Sequence, residues 1–174
     1  MKRKIIILFF LMGFMFIDAQ ANDVFEVART GTAAEMRELA KIKPDIINTP
    51  NELGFTPLIL ACYRGNVEVA KFLIEHVKDV NYVSSEGTAL AGLSINYNRE
   101  LVEALLRKKA DPNIADVNGT TPLIWAVKRG NEELVKLLLE HHANKDQPDH
   151  MGIKPFEYAV QTKKQNIINL LKIN

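Results

Sequence analysis

The chain of 174 residues has very little cysteine and almost no net charge. Its single cysteine, Cys62, cannot form an intramolecular disulfide, which excludes a small disulfide-stapled scaffold. The formal net charge of +1 at pH 7 argues against a general affinity for nucleic acid or anionic lipid. Hydrophobic residues make up 47% of the chain and charged residues 25%, as in ordinary folded domains. We therefore expect a folded chain that does not bind nucleic acid.

Sequence patterns that support catalysis or metal binding are also missing. Adjacent helical residues point about 100° apart, so His141 and His142 are poorly placed to hold one metal ion. No pattern sets a His and a carboxylate beside Ser84, Ser85 or Ser94. We expect no catalytic residue, no metal and no cofactor. The alternative is an enzyme or small-molecule carrier with a polar pocket between helices.

The first 21 residues have the order of a secretory signal peptide. Lys2, Arg3 and Lys4 precede 13 apolar or glycine residues at 5–17, and Ala19-Gln20-Ala21 follows. A helix needs about 20 apolar residues to span a bilayer, so a permanent anchor is less favoured. We predict that residues 1–21 are cleaved, which leaves a formal net charge of −1 and no membrane attachment. An uncut segment that tethers the chain to a membrane is the alternative.

One motif occurs four times along the rest of the chain, at offsets of 32, 33 and 33 residues. Its copies are Thr56-Pro57-Leu58, Thr88-Ala89-Leu90, Thr121-Pro122-Leu123 and Lys154-Pro155-Phe156. The same offsets align Gly65-Asn66, Tyr97-Asn98, Gly130-Asn131 and Lys163-Lys164. A fixed period of this length indicates one supersecondary unit copied along the chain.

The recurring residues mark the ends of short helices. Thr121 can cap a helix, Pro122 suits its first position, and Gly130 suits the left-handed residue that ends it. Only about two helical turns fit between these marks, too few to be stable alone in water. We therefore expect each helix pair to be stabilised by stacking on the next pair.

The quoted motifs resemble the ankyrin repeat. The resemblance rests on Gly119-Thr120-Thr121-Pro122-Leu123-Ile124-Trp125-Ala126, on Gly130-Asn131-Glu132-Glu133-Leu134-Val135-Lys136-Leu137-Leu138-Leu139, and on Ala110-Asp111-Pro112-Asn113. It implies an all-α ankyrin-repeat solenoid of stacked antiparallel helix pairs with β-turn fingers. The units expected are an N-terminal cap at 22–50, repeats at 51–83, 84–115 and 116–148, and a C-terminal cap at 149–174.

The middle repeat departs from the pattern of its neighbours. Glu86 occupies the position of a finger glycine, Gly92 lies inside the first helix, and Tyr97 replaces the glycine that ends it. A glycine in a helix costs about 1 kcal/mol relative to Ala, and a left-handed bulky residue about 1 to 2 kcal/mol more. We therefore expect this repeat to be the least stable unit.

Two single residues are predicted to lie in the core. Cys62 aligns with small or branched residues on the inner helix, which indicates a buried spacer and not a reactive thiol. Trp125 aligns with Leu60 and Tyr158, which indicates an apolar interior position. A partner-binding aromatic residue is the alternative for Trp125.

The resemblance also implies a binding surface, because ankyrin repeats form a concave groove from finger tips and from the ends of the first helices. The helix positions in this sequence are Arg29, Thr30, Tyr63, Arg64, Ile95, Asn96, Lys128, Arg129, Gln161 and Thr162. The finger tips are Glu52, Leu53, Phe55, Ser84, Ser85, Gly87, Val117, Asn118, Thr120, His150, Met151 and Ile153. The selected candidates are Arg29, Phe55, Tyr63, Arg64, Ile95, Asn96, Asn118, Lys128, Arg129 and Met151.

The composition of this surface indicates the kind of partner. Its helix positions include four basic residues and no acidic one, and its finger tips include five apolar residues expected to be exposed. Such a surface favours an acidic protein partner, although exposed basic residues also occur simply as solvated helix ends. We expect a non-enzymatic, exported monomer that binds a protein in a bacterial periplasm, as a protective or immunity factor for an enzyme would. A secreted effector acting on a host or neighbouring cell is the alternative.

Overall fold

The computed structural model describes residues 23–172, so the predicted signal peptide at 1–21 lies outside the described residues. Within residues 23–172 the chain forms ten α-helices and one 3₁₀ helix, Pro44–Asn48. The α-helices are α1 (Val24–Thr30), α2 (Ala33–Ile42), α3 (Pro57–Arg64), α4 (Val67–His76), α5 (Ala89–Ile95), α6 (Arg99–Arg107), α7 (Pro122–Arg129), α8 (Glu132–Glu140), α9 (Pro155–Thr162) and α10 (Gln165–Lys172). The predicted all-α solenoid is confirmed.

The helix ends follow the recurring motif. Thr56 and Thr121 accept hydrogen bonds from the backbone amides of Ile59 and Ile124, so each threonine caps its helix as predicted. Gly65 and Gly130 end α3 and α7 in the left-handed conformation, with φ of 73° and 68°. These local choices make helices of eight residues, which depend on packing for their stability.

Stacking of the units buries one continuous core. Each first helix packs on the next one, in the order α1, α3, α5, α7, α9, while the second helices make contacts between α2 and α4, α4 and α6, and α8 and α10. The largest fully buried side chains come from every unit and include Met36, Leu73, Leu93, Leu134 and Ile167. Every helix in residues 23–172 is too short or too polar to cross a bilayer.

Asparagine side chains join one loop to the next along the stack. Asn81 donates to the carbonyl of Lys109 at 3.3 Å and accepts from the amide of Asp111 at 2.9 Å. One unit further along, Asn113 donates to the carbonyl of His142 at 3.3 Å. These bonds satisfy backbone groups that helix ends leave unpaired.

The fingers are compact turns built on one polar side chain. Asp116 Oδ1 accepts the amides of Asn118 and Thr120 at 2.8 and 2.9 Å, and Asn51 and Asp149 do the same in their own fingers. Neighbouring fingers are joined, because the amide of His150 donates to the carbonyl of Asn118 at 3.0 Å. This approach is too close for a side chain at residue 119, whose Cβ would lie 2.6 Å from the His150 nitrogen.

Two expectations for the middle unit were wrong. Its finger is one residue shorter than the others, so Gly87 and not residue 86 takes the positive φ, and Gly87 pairs directly with Ser84. Tyr97 is not left-handed, because α5 already ends at Ile95 and Asn96 closes it with φ of −111°. The Tyr97 hydroxyl is nevertheless buried close to Glu133, without a well-formed hydrogen bond to any residue from 23 to 172.

Candidate protein-binding surface

We call the helix-end and finger-tip residues predicted from the sequence, taken together, the binding face. At its N-terminal end, Arg29 from α1 borders an open hollow together with Glu52 and Leu53 of the first finger. Arg29 is half-buried and forms an ion pair with Glu26 at 3.4 Å. Its charge is therefore partly compensated, although a surface pair of this kind is weak.

The end of α3 supplies the most accessible aromatic residue of the binding face. Tyr63 is 49% exposed, and Arg64 beside it is exposed without an ion pair or side-chain hydrogen bond within residues 23–172. Asn96, at the end of α5, donates to the carbonyl of Tyr63 at 2.9 Å and so ties the two helix ends together. Ile95 is half-buried. The side chains of Tyr63 and Arg64 are therefore both accessible to a partner.

Three of the five finger-tip apolar residues are exposed as expected. Leu53 and Met151 are each 73% exposed and Val117 is 61% exposed. Phe55 and Ile153 are different, because both pack against the hydrophobic core, and the expectation that they project into solvent was wrong. The reason is geometric: each follows its finger glycine, where the chain turns back towards the helices.

The C-terminal end of the binding face contains an open hollow of about 280 Å³. It brings together three of the selected candidates, Asn118, Lys128 and Met151. Trp125 and Tyr158 form its walls, and Lys128 Nζ lies 4.8 Å from the Trp125 ring centre and 5.1 Å from that of Tyr158. Both distances are within the range of cation–π attraction.

The prediction that Trp125 is a core residue was wrong. Trp125 is only partly buried, and its indole N–H donates to Oδ2 of Asp116 at 3.3 Å. An indole with one apolar side and one polar edge fits such a boundary position better than a dry core. Cys62 is fully buried as predicted, and burial raises the pKa of its thiol to about 12.

A buried tyrosine and carboxylate support the last finger. Tyr158 donates to Oδ2 of Asp149, and this bond, together with burial, raises the pKa of Tyr158 to about 12. Burial alone would raise the pKa of Asp149, but the bonds from Tyr158, Ile153 and Met151 and the nearby Lys128 hold it below its usual value. Asp149 is therefore charged at neutral pH, and both of its carboxylate oxygens accept hydrogen bonds.

Sequence reasoning missed these aromatic–carboxylate pairs. In both C-terminal fingers an Asp is followed nine residues later by the aromatic residue that donates to it, Asp116 with Trp125 and Asp149 with Tyr158. The earlier fingers begin with Asn51 and Ser84 and have no such pair. That nine-residue spacing, repeated after 33 residues, was the available signal.

The histidines of the described residues lie at the ends of second helices or on a finger and do not gather into a metal-binding cluster. Residues 23–172 contain no cluster of three or more His, Cys, Asp or Glu side chains able to hold a metal ion. His141 and His142 are both exposed at the end of α8, where His142 adopts a left-handed conformation with φ of 65°. His76 stacks on Phe72 at the end of α4.

Stacked helix pairs with an exposed face of fingers and helix ends define a repeat protein of the protein-binding class. A family model described as ankyrin repeats (3 copies) matches residues 24–116 and 89–174. The chain belongs to the ankyrin-repeat family, whose repeats form a protein–protein interaction module.

Curated relatives share part of this chain. Ankyrin repeat and SAM domain-containing protein 6 of Rattus norvegicus is 33% identical over 101 residues, which is 57% of this chain and 11% of the relative. A palmitoyltransferase of Lachancea kluyveri is 31% identical over 101 residues, 55% of this chain and 14% of the relative. BCL-6 corepressor-like protein 1 of Homo sapiens is 33% identical over 78 residues, 44% of this chain and 4% of the relative. The chain spans about a seventh or less of these three proteins.

Proposed function

We propose that this chain is an exported, non-enzymatic protein that binds an acidic protein partner through its binding face. The observation that supports this most is the pair Tyr63 and Arg64, because both side chains are exposed and neither forms a hydrogen bond or ion pair within residues 23–172. Tyr and Arg are the residues that most often dominate the energy of protein interfaces. Exposed Leu53, Val117 and Met151 supply apolar contacts along the same face.

The proposal includes the compartment and the role. The sequence 1–21 supports export to a bacterial periplasm, and a single buried cysteine is compatible with an oxidising compartment. There the monomer would act as a protective or immunity factor that covers an enzyme. A secreted effector is the second candidate, and recovery from the culture medium instead of the periplasm would favour it.

The test is affinity capture from the native compartment with the immobilised full chain and with the variant Tyr63→Ser/Arg64→Ser. The variant should lose a captured protein while its Tm stays within about 2 °C of the parent, because the side chains are exposed. Lys41→Ser/Lys43→Ser is the matched control, since it removes exposed side chains outside the binding face. Equal capture by both variants would contradict a role for the binding face.

A further inference from the structure

In the C-terminal unit, the two residues that follow the first helix, α9, differ from those that follow α3 and α7. At the end of α3 and α7 the chain has Gly65-Asn66 and Gly130-Asn131, whereas α9 is followed by Lys163-Lys164. Lys163 adopts the left-handed conformation of the glycines it replaces, with φ of 55°. A side chain is strained in that conformation, and glycine is not.

Lys164 also lacks the capping function that two of its three counterparts have. Asn98 and Asn131 each accept a hydrogen bond from the amide three residues later, at 3.1 and 3.0 Å. Lysine has no acceptor atom and cannot make this bond. Both positions therefore have residues that serve local stability less well than Gly130 and Asn131 of the preceding unit. Local strain of this kind is often found where function selects the residue.

The two lysines extend a basic group from the neighbouring unit. The Lys164 side chain lies across Gly130, with its Cε 3.0 Å from where a Cβ would stand, next to Arg129. The neighbouring Lys128 belongs to the hollow instead, because its ammonium lies over the Tyr158 ring of α9. We call Arg129, Lys163 and Lys164 the basic edge.

The basic edge has few local counter-charges. All three side chains are exposed, and they form no ion pair or hydrogen bond with any residue from 23 to 172. The acidic residues that follow Gly130 are engaged elsewhere, Glu132 with Lys136 and Asn166, and Glu133 with Arg99. Asp149 is buried and already accepts a hydrogen bond from Tyr158. Positive charge is thus left uncompensated at one end of the binding face.

We infer that the basic edge, which joins the binding face at Arg129, receives an Asp- or Glu-rich segment of the protein partner. This inference rests on the proposed function and adds the location and chemistry of one contact. An acidic segment supplies carboxylates to cations that have no partner of their own, which accelerates association and fixes register. Nucleic acid is disfavoured because aromatic stacking positions are not free here: Lys128 covers both Trp125 and Tyr158.

The test replaces the two lysines by the residues of the earlier units. In the full chain, Lys163→Gly/Lys164→Asn should raise Tm by about 2 to 4 °C, because strain is relieved and a cap is restored. The same variant should bind a fluorescein-labelled peptide of ten glutamates about fivefold or more weakly than the parent, measured by fluorescence anisotropy in 50 mM NaCl. If the two lysines served only the stability of the fold, Tm and the affinity for the peptide would change in the same direction.

The matched control is Arg107→Asn/Lys109→Gly. It also removes two exposed cations and relieves a left-handed lysine, since Lys109 has φ of 63°, but it lies at the C-terminal end of α6, on a different helix from the basic edge. An equal loss of peptide binding in the control, or unchanged binding in the test variant, would overturn the inference. Tighter binding of a ten-nucleotide oligothymidylate than of the peptide would also overturn it.

Failure here is distinguishable from failure of the proposed function. If Lys163→Gly/Lys164→Asn captures the native partner as the parent does while Tyr63→Ser/Arg64→Ser does not, the binding face stands and the basic edge is excluded. If neither variant changes capture, both ideas fail. If both variants lose capture, both are supported.

Discussion

The hydroxyl of Tyr158 donates a 2.5 Å hydrogen bond to Oδ2 of Asp149, and both residues are buried. The same carboxylate holds the turn of the last finger through the amides of Met151 and Ile153. The tyrosine of one helix thus stabilises the finger that precedes it, and the exposed Met151 is fixed in place by a bond beneath it.

Replacing Tyr158 by Phe should lower the free energy of unfolding by about 1 to 3 kcal/mol, because a buried carboxylate oxygen loses its donor. Urea unfolding of the full chain at pH 7 measures the change. Tyr63→Phe is the matched control, and it should change stability by less than about 0.5 kcal/mol because Tyr63 is exposed. Equal effects of the two substitutions would show that the buried bond contributes nothing.

The stability difference between the parent and Tyr158→Phe should depend on pH. The folded state raises the pKa of Tyr158 from 10.0 to about 12, so its contribution is complete below pH 10 and is lost as pH rises towards 12. The pKa of Asp149 is lowered, so its contribution is present above its usual 3.8 and is lost as pH falls further. Unfolding measured from pH 7 to pH 12 should show the two curves converging.

Gly92→Ala should stabilise the chain by about 1 kcal/mol, since Gly92 lies inside α5 and a Cβ there would meet nothing within 4 Å. Gly65→Ala is the matched control, because a Cβ at Gly65 also has free space but φ is 73°. That substitution should destabilise by about 1 kcal/mol. Stabilisation by both substitutions in urea unfolding would show that backbone conformation is not decisive.

The middle unit should open before its neighbour. Its first helix has seven residues with an internal glycine, and Tyr97 has a buried hydroxyl without a well-formed hydrogen bond within the described chain. Amides in residues 88–106 should therefore exchange faster than those in 121–139, by tenfold or more where both are helical. Hydrogen exchange followed by mass spectrometry gives the comparison, and equal protection would refute it.

Cys62 should be unreactive until the chain unfolds. The thiol is fully buried and its pKa is about 12, so almost no accessible thiolate exists at pH 8. A chromogenic disulfide reagent should label less than about 5% of native protein in an hour and all of it in 6 M guanidinium. Rapid labelling of native protein would place this sulfur on the surface.

The sequence was enough to predict the helix ends, because threonine caps and left-handed glycines act within a few residues of themselves. It was not enough to place Phe55, Ile153 and Trp125, because an apolar residue beside a turn can face either the core or the solvent. Their direction depends on where the chain goes after the finger, which is set by contacts some 33 residues away. The repeat period identifies equivalent positions, but it does not predict which of these positions are buried by side chains of a neighbouring unit.

The middle unit shows a second limit. Its missing residue was visible as a 32-residue offset, but alignment alone assigned the loss to the glycine, whereas the chain keeps Gly87 and shortens the turn. Tyr97 likewise avoids the left-handed conformation by ending α5 one residue early. In both cases the backbone adjusts locally to keep the favourable conformation, and a residue-by-residue comparison does not predict such adjustment.

The asparagine bonds between loops have an evolutionary consequence. Asn81 and Asn113 satisfy equivalent groups one unit further along, so deleting or duplicating a whole internal unit would leave each loop with a matching neighbour. A change of a few residues would break that match. The array can therefore grow by duplication of complete units and shrink by their deletion. Its length can change in this way without changes to the buried core.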